Sequence, residues 1–105
     1  MTIVLEFEKH TVADCPINNE KTRKIVFELA PKLPELYKKY GIKPLGFWTV
    51  HSEHLNVMVF DVPSLDVIEK LGREPALAAW KNYTTTEFKF GTNMEETMNI
   101  IKQAK

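Results

Sequence analysis

The chain has 105 residues, 14 basic and 14 acidic side chains, no formal net charge and 44% hydrophobic residues. This length predicts a single domain, residues 1–105, large enough to bury a core and small enough to gain from a partner subunit. The charge balance argues against nucleic acid or an anionic membrane as main partner, since both select a basic excess or a clustered basic face.

No apolar run approaches the roughly 20 residues of a membrane span, and the N-terminus lacks a secretory leader pattern. The lone cysteine, Cys15, leaves no intrachain disulfide, so the expected location is cytoplasmic. The basic residues Lys21, Arg23, Lys24, Lys38 and Lys39 fall in helix-like sequence beside acidic ones and read as solvated helix faces.

Thr2 to His10 alternates as a strand, with Ile3, Leu5 and Phe7 on one face and Val4, Glu6, Glu8 and His10 on the other. Turn-type residues and Cys15-Pro16 follow, then Asn18 or Asn19 caps a helix whose apolar face is Ile25, Leu29, Leu33, Leu36 and Tyr40. Pro31 and Pro34 predict a kink or two consecutive helices, and Gly41 a left-handed stop. Two apolar runs, about Leu45 to Val50 and His54 to Val62, flank the polar tip His51-Ser52-Glu53-His54 and describe a β-hairpin.

Ser64 and Asp66 suit the start of a second helix ending at Gly72, and Ala76 to Trp80 a further short one. Tyr83 to Phe90 is rich in β-branched and aromatic residues and reads as the last strand. Asn93 with Glu96 opens a final helix striped with Met94, Met98 and Ile101. The order βαββαβ plus a helix is the split βαβ pattern of ferredoxin-like α+β domains, with an antiparallel four-stranded sheet.

That topology pairs the first and third strands centrally and brings His10, the Cys15 loop and the hairpin tip to one end of the sheet. Strand parity puts His54, Asn56, Met58 and Phe60 on one face and Leu55, Val57 and Val59 on the other. The all-apolar face is expected to meet the helices. The mixed face, with Glu6, Glu8, His10, His54, Asn56 and Trp48, is then expected to be covered by a second subunit, which would shield Glu6 and Glu8.

His10-Thr11, Cys15-Pro16, Gly41, Gly46 and Glu53-His54 resemble the pattern of a family of short uncharacterised proteins in the dimeric α/β-barrel superfamily, whose members pair two ferredoxin-like sheets. The resemblance implies a homodimer and a pocket; no activity comes with the narrower family. The wider superfamily spans cofactor-free monooxygenases, haem enzymes, an iron-dependent sulfur oxygenase, lactone isomerases and ligand-sensing domains, among which fold does not choose.

Three site readings follow from the residues. His10, His54 and a carboxylate, Glu53 or Glu8, form a ligand set for iron or zinc; solvated tip histidines are the plain alternative. Cys15, ahead of a helix N-terminus and assisted by His10, is a candidate catalytic thiol; an inert buried thiol is the alternative. Trp48, Asn56 and Phe60 line a small-molecule pocket, with or without catalysis, against the alternative that Trp48 belongs to core or interface. An oxidoreductase or monooxygenase-like enzyme and a non-catalytic small-ligand-binding homodimer both remain open at this point.

Overall fold

The structure, a computed structural model, describes residues 2–104. In chain order it forms β1 (Thr2–Lys9), α1 (Glu20–Leu29), α2 (Leu33–Lys39), β2 (Lys43–Val50), β3 (Leu55–Val62), α3 (Asp66–Gly72), α4 (Pro75–Lys81), β4 (Thr85–Gly91) and α5 (Met94–Gln103). The strands make one antiparallel sheet in the order β2-β3-β1-β4, a ferredoxin-like α+β arrangement with β1 and β3 at its centre.

Local chemistry sets the boundaries. Asn19 caps α1 by accepting the Thr22 N–H at 3.1 Å, and Asn93 caps α5 by accepting the Glu96 N–H at 2.8 Å. The two prolines divide the first helical stretch, because a 3-10 turn, Ala30–Lys32, joins α1 to α2. Pro31 and Pro34 each stand in the first positions of their segment, where a missing amide costs no internal hydrogen bond. Gly41 leaves α2 at φ 67°. Ser64 does not cap α3; Leu65 holds that position, and the Ser64 hydroxyl donates to the Asp66 carboxylate instead.

The sheet faces are assigned the other way round from the sequence expectation. Val4, Met58, Phe60 and Val62 form the core with Ile42, Val67 and Leu71, and Leu36, Tyr37, Ile68 and Leu77 pack against it. The mixed face therefore lies under the helices. Its large side chains fill the space below α2, α3 and α4, while its polar residues gather at one end, where a gap remains under the helices.

Leu5, Phe7, Val57 and Val59, on the opposite face, belong to no buried cluster, and each is only half-buried. Glu6 and Glu8 are accordingly shielded by their own chain's helices. No helix among the described residues is long and apolar enough to cross a membrane.

Candidate functional site

β1 ends beside the start of β3, and the His10 N–H continues the ladder by donating to the His54 carbonyl at 3.2 Å. The hairpin closes through a 3-10 turn, His51–Glu53, after which His54 takes a left-handed conformation with φ 51°. The imidazoles meet edge to face, with centroids 5.4 Å apart. Cys15 comes from the β1–α1 loop, where its carbonyl accepts the Asn18 and Asn19 N–H groups, each at 2.9 Å. Its side chain is buried.

One donor atom each from His10, Cys15 and His54 lies within 4.8 Å of the others. Donors around a tetrahedral metal sit roughly 3.3–3.6 Å apart, so the set as it stands spans somewhat more than a closed tetrahedral site. Both His10 ring nitrogens are shielded from solvent and meet no hydrogen-bond partner among the described residues. A buried imidazole with neither nitrogen satisfied by protein is unusual, and both nitrogens are open to a hydrogen-bonding group or a metal. Burial, then the neighbouring His54, holds His10 below the usual histidine range, in the neutral form that binds metals.

The cluster opens onto a cavity of about 280 Å³ bordered by Phe47, Thr49, His51, Asn56 and Trp80. A second cavity, about 270 Å³, lies between sheet and helices. Val26, Phe47, Asn56 and Trp80 border both, so the two form neighbouring compartments of one chamber. The inner compartment is lined mainly by apolar side chains of α1 to α4, with Glu6, Glu8, Tyr37, Asn56 and Lys81 as its polar groups.

A chain of hydrogen bonds crosses its floor: Thr49 Oγ1 donates to Asn56 Oδ1 at 3.0 Å, and Asn56 Nδ2 donates to Glu8 Oε1 at 3.1 Å. Glu6 lies between Met58 and Phe88 on the neighbouring strands, and burial, with Glu8 adding to it, pushes its carboxyl up to about 7. Burial likewise pushes the Tyr37 hydroxyl up to about 12.

The predicted residues separate into distinct environments. His10, Cys15, His54 and Asn56 converge. Glu53 does not join the donor set: it is exposed and borders a groove on the far side of the histidines. Cys15 precedes the α1 cap by four residues and so lies outside the first helical turn. Trp48 is opposite Val57 in the ladder, which puts it on the helix-free face, 57% exposed. Its ring lies over Gly46, where an added Cβ would come within 2.2 Å of it.

Phe60 is a core residue, 2% exposed and 5.3 Å from the Tyr37 ring. Phe47, opposite Met58, takes the place expected of Trp48 in bordering the chamber. Sequence reasoning missed Phe47, Tyr37 and the inner role of Glu6. The β2 register would have revealed Phe47, but an irregularity between Pro44 and Gly46 hides it from simple alternation.

These features define a ferredoxin-like domain with a half-open chamber between sheet and helices and a His/His/Cys cluster beside it. No family model matches the chain, and no curated protein matches it. Among solved structures it is similar to an uncharacterized NIPSNAP domain protein from Burkholderia xenovorans, at 15% identity over 89% of this chain and 94% of that one, TM-score 0.60. A protein from Agrobacterium tumefaciens is similar at 16% identity over 88% and 92%, TM-score 0.61. A dimeric ferredoxin-like protein from an uncultured marine organism matches at 15% identity over 90% and 95%, TM-score 0.52. Likeness at these identities establishes the fold alone.

Proposed function

We propose that the protein is a homodimeric, oxidoreductase-like enzyme that takes a small apolar molecule into the chamber and holds iron or zinc at His10, Cys15 and His54. The observation that carries this reading is the convergence of three donor atoms within 4.8 Å around an imidazole whose nitrogens are both buried and unpaired. Two imidazoles and one thiolate would suit borderline-soft metals, and His10, Cys15 and His54 would hold such an ion beside the cavity they border. Bound there, the metal would supply Lewis acidity or, as iron, redox chemistry. The chain's own residues would shield the ligand on one side through the buried Trp80 and orient it through Asn56.

The dimer rests on the helix-free face. Its centre, Leu5, Phe7, Val57 and Val59, is apolar, and at the β4 edge Glu87 and Lys89 approach each other at 3.8 Å. An apolar centre with a charged rim is the anatomy of an interface, and a second copy of the same face matches it by symmetry. The fold neighbour from a marine organism is dimeric, which supports pairing of two subunits without saying through which face.

Elemental analysis of chelator-free protein reloaded with iron or zinc tests the metal centre. Near one ion per chain is expected, lost in a folded His10→Ala/His54→Ala variant and retained in Glu53→Gln. A cobalt-loaded sample should show a near-ultraviolet thiolate charge-transfer band that Cys15→Ser removes. No binding by the wild type overturns the metal reading and leaves a non-catalytic ligand-binding homodimer, which the apolar inner compartment favours independently.

A further inference from the structure

The inner compartment carries a second polar site, formed by Glu6 of β1 and Tyr37 of α2, the latter 17 residues in sequence from the nearest proposed metal donor, His54. Apolar side chains make most of its wall, and the Glu6 carboxyl and Tyr37 hydroxyl both border it. Among the described residues neither group makes a hydrogen bond. Glu8, by contrast, is occupied by Asn56. The Lys81 ammonium stands beside Gly72, 3.0 Å from where a Cβ would be, on a residue that is exposed.

We propose that Glu6 and Tyr37 together recognise one carbonyl oxygen of an otherwise apolar, uncharged ligand, such as an aromatic ketone. This rests on reading the chamber as a ligand pocket and is independent of the metal. A carbonyl oxygen has two lone pairs and accepts two hydrogen bonds. Tyr37 is a donor throughout the physiological range, since its hydroxyl is pushed up to about 12.

Glu6 is a donor only when protonated, which burial among Met58 and Phe88 favours up to about pH 7. A carboxylate ligand is disfavoured, because it would have to enter a mostly apolar compartment beside the Glu8 carboxyl. The groups facing Glu6 are Glu8 from its own strand, Tyr37 from α2 and Lys81 from α4; Glu8 raises its titration and Lys81 opposes that. A ligand with a single carbonyl is therefore bound with a pH dependence set by Glu6.

Calorimetric titration of metal-free protein with 2-acetonaphthone, 2-naphthoate and naphthalene tests this. The ketone should bind at least about tenfold more tightly than the other two at pH 6, the hydrogen-bond contribution being of the order that separates satisfied from unsatisfied buried donors. Its affinity should fall roughly tenfold by pH 8, as the protonated fraction of Glu6 falls. Glu6→Gln, which keeps a donor but cannot ionise, should bind the ketone with that pH dependence abolished, and Tyr37→Phe should narrow the ketone's advantage over naphthalene.

Equal binding of all three compounds, or a pH dependence that survives in Glu6→Gln, overturns the carbonyl assignment while leaving the chamber as a ligand pocket. No binding of any compound overturns both.

Discussion

At the scale of single residues, two titrating groups in the chamber push stability in opposite directions with pH. Glu6 is pushed from about 4.5 up to about 7 by burial, so its stabilising contribution is complete below pH 4.5 and is lost as pH rises through 7. The full shift corresponds to at most about 3 kcal/mol. Glu6→Gln should thus melt several degrees higher than wild type at pH 8 and converge with it near pH 4.5, in thermal scans at one protein concentration.

His10 is lowered, by burial first and His54 second, so its contribution is present above about pH 6.5 and is lost as pH falls through its lower folded value. Metal affinity should weaken in the same acidic range, because protons compete for the imidazole nitrogens. Zinc affinity measured from pH 7.5 downward should fall, and His10→Ala should bind zinc at least about tenfold more weakly than wild type at pH 7.5; equal affinities of the two proteins would remove His10 from the ligand set.

Among elements, helix and strand identities were legible because capping residues, prolines and alternation act locally. Asn19, Asn93, Pro31 and Pro34 each do in the structure what their side chains dictate, and so does Gly41. A Cβ at Gly41 would meet only Pro63, at 3.6 Å, so Gly41→Ala tests backbone conformation rather than space. It should cost about 1–2 kcal/mol in urea melts, and Gly41→Asn less, since asparagine tolerates the left-handed region.

The placement of Trp48 and the identity of the helix-covered face were not legible. Parity sorts β1 and β3 residues into two sets but does not say which set the helices choose. The expectation that the more uniformly apolar set lies inside failed: Val4, Met58, Phe60 and Val62 form the core with residues of the helices, and the uniformly apolar set lies on the helix-free face. Glu6, Glu8 and Asn56 are tolerated beside them, since they border a chamber rather than close-packed atoms. The convergence of His10, Cys15 and His54 was legible from topology, whereas the absence of Glu53 from that cluster goes with the turn geometry at 51–54.

For the whole molecule, the reversal of faces would separate the proposed subunit pairing from the chamber. In the expected arrangement the partner would have covered Glu6, Glu8 and Asn56, and breaking the dimer would have opened the site. In the structure the chamber is bordered by the helix-covered face of the sheet, and the helix-free face lies on the other side. Val57→Lys places a charge at the centre of that face without touching the chamber. Light scattering should show conversion to a monomer, because a buried unpaired ammonium costs several kcal/mol at an interface. The monomer should be less stable, having lost the apolar burial of its partner's sheet, yet should keep the metal and the ketone at near wild-type affinity per folded chain. A variant that stays dimeric would show that the subunits pair elsewhere. A folded monomer that has lost both ligands would show instead that the second sheet is needed to hold β1 and β3, and with them His10, His54 and Glu6, in register.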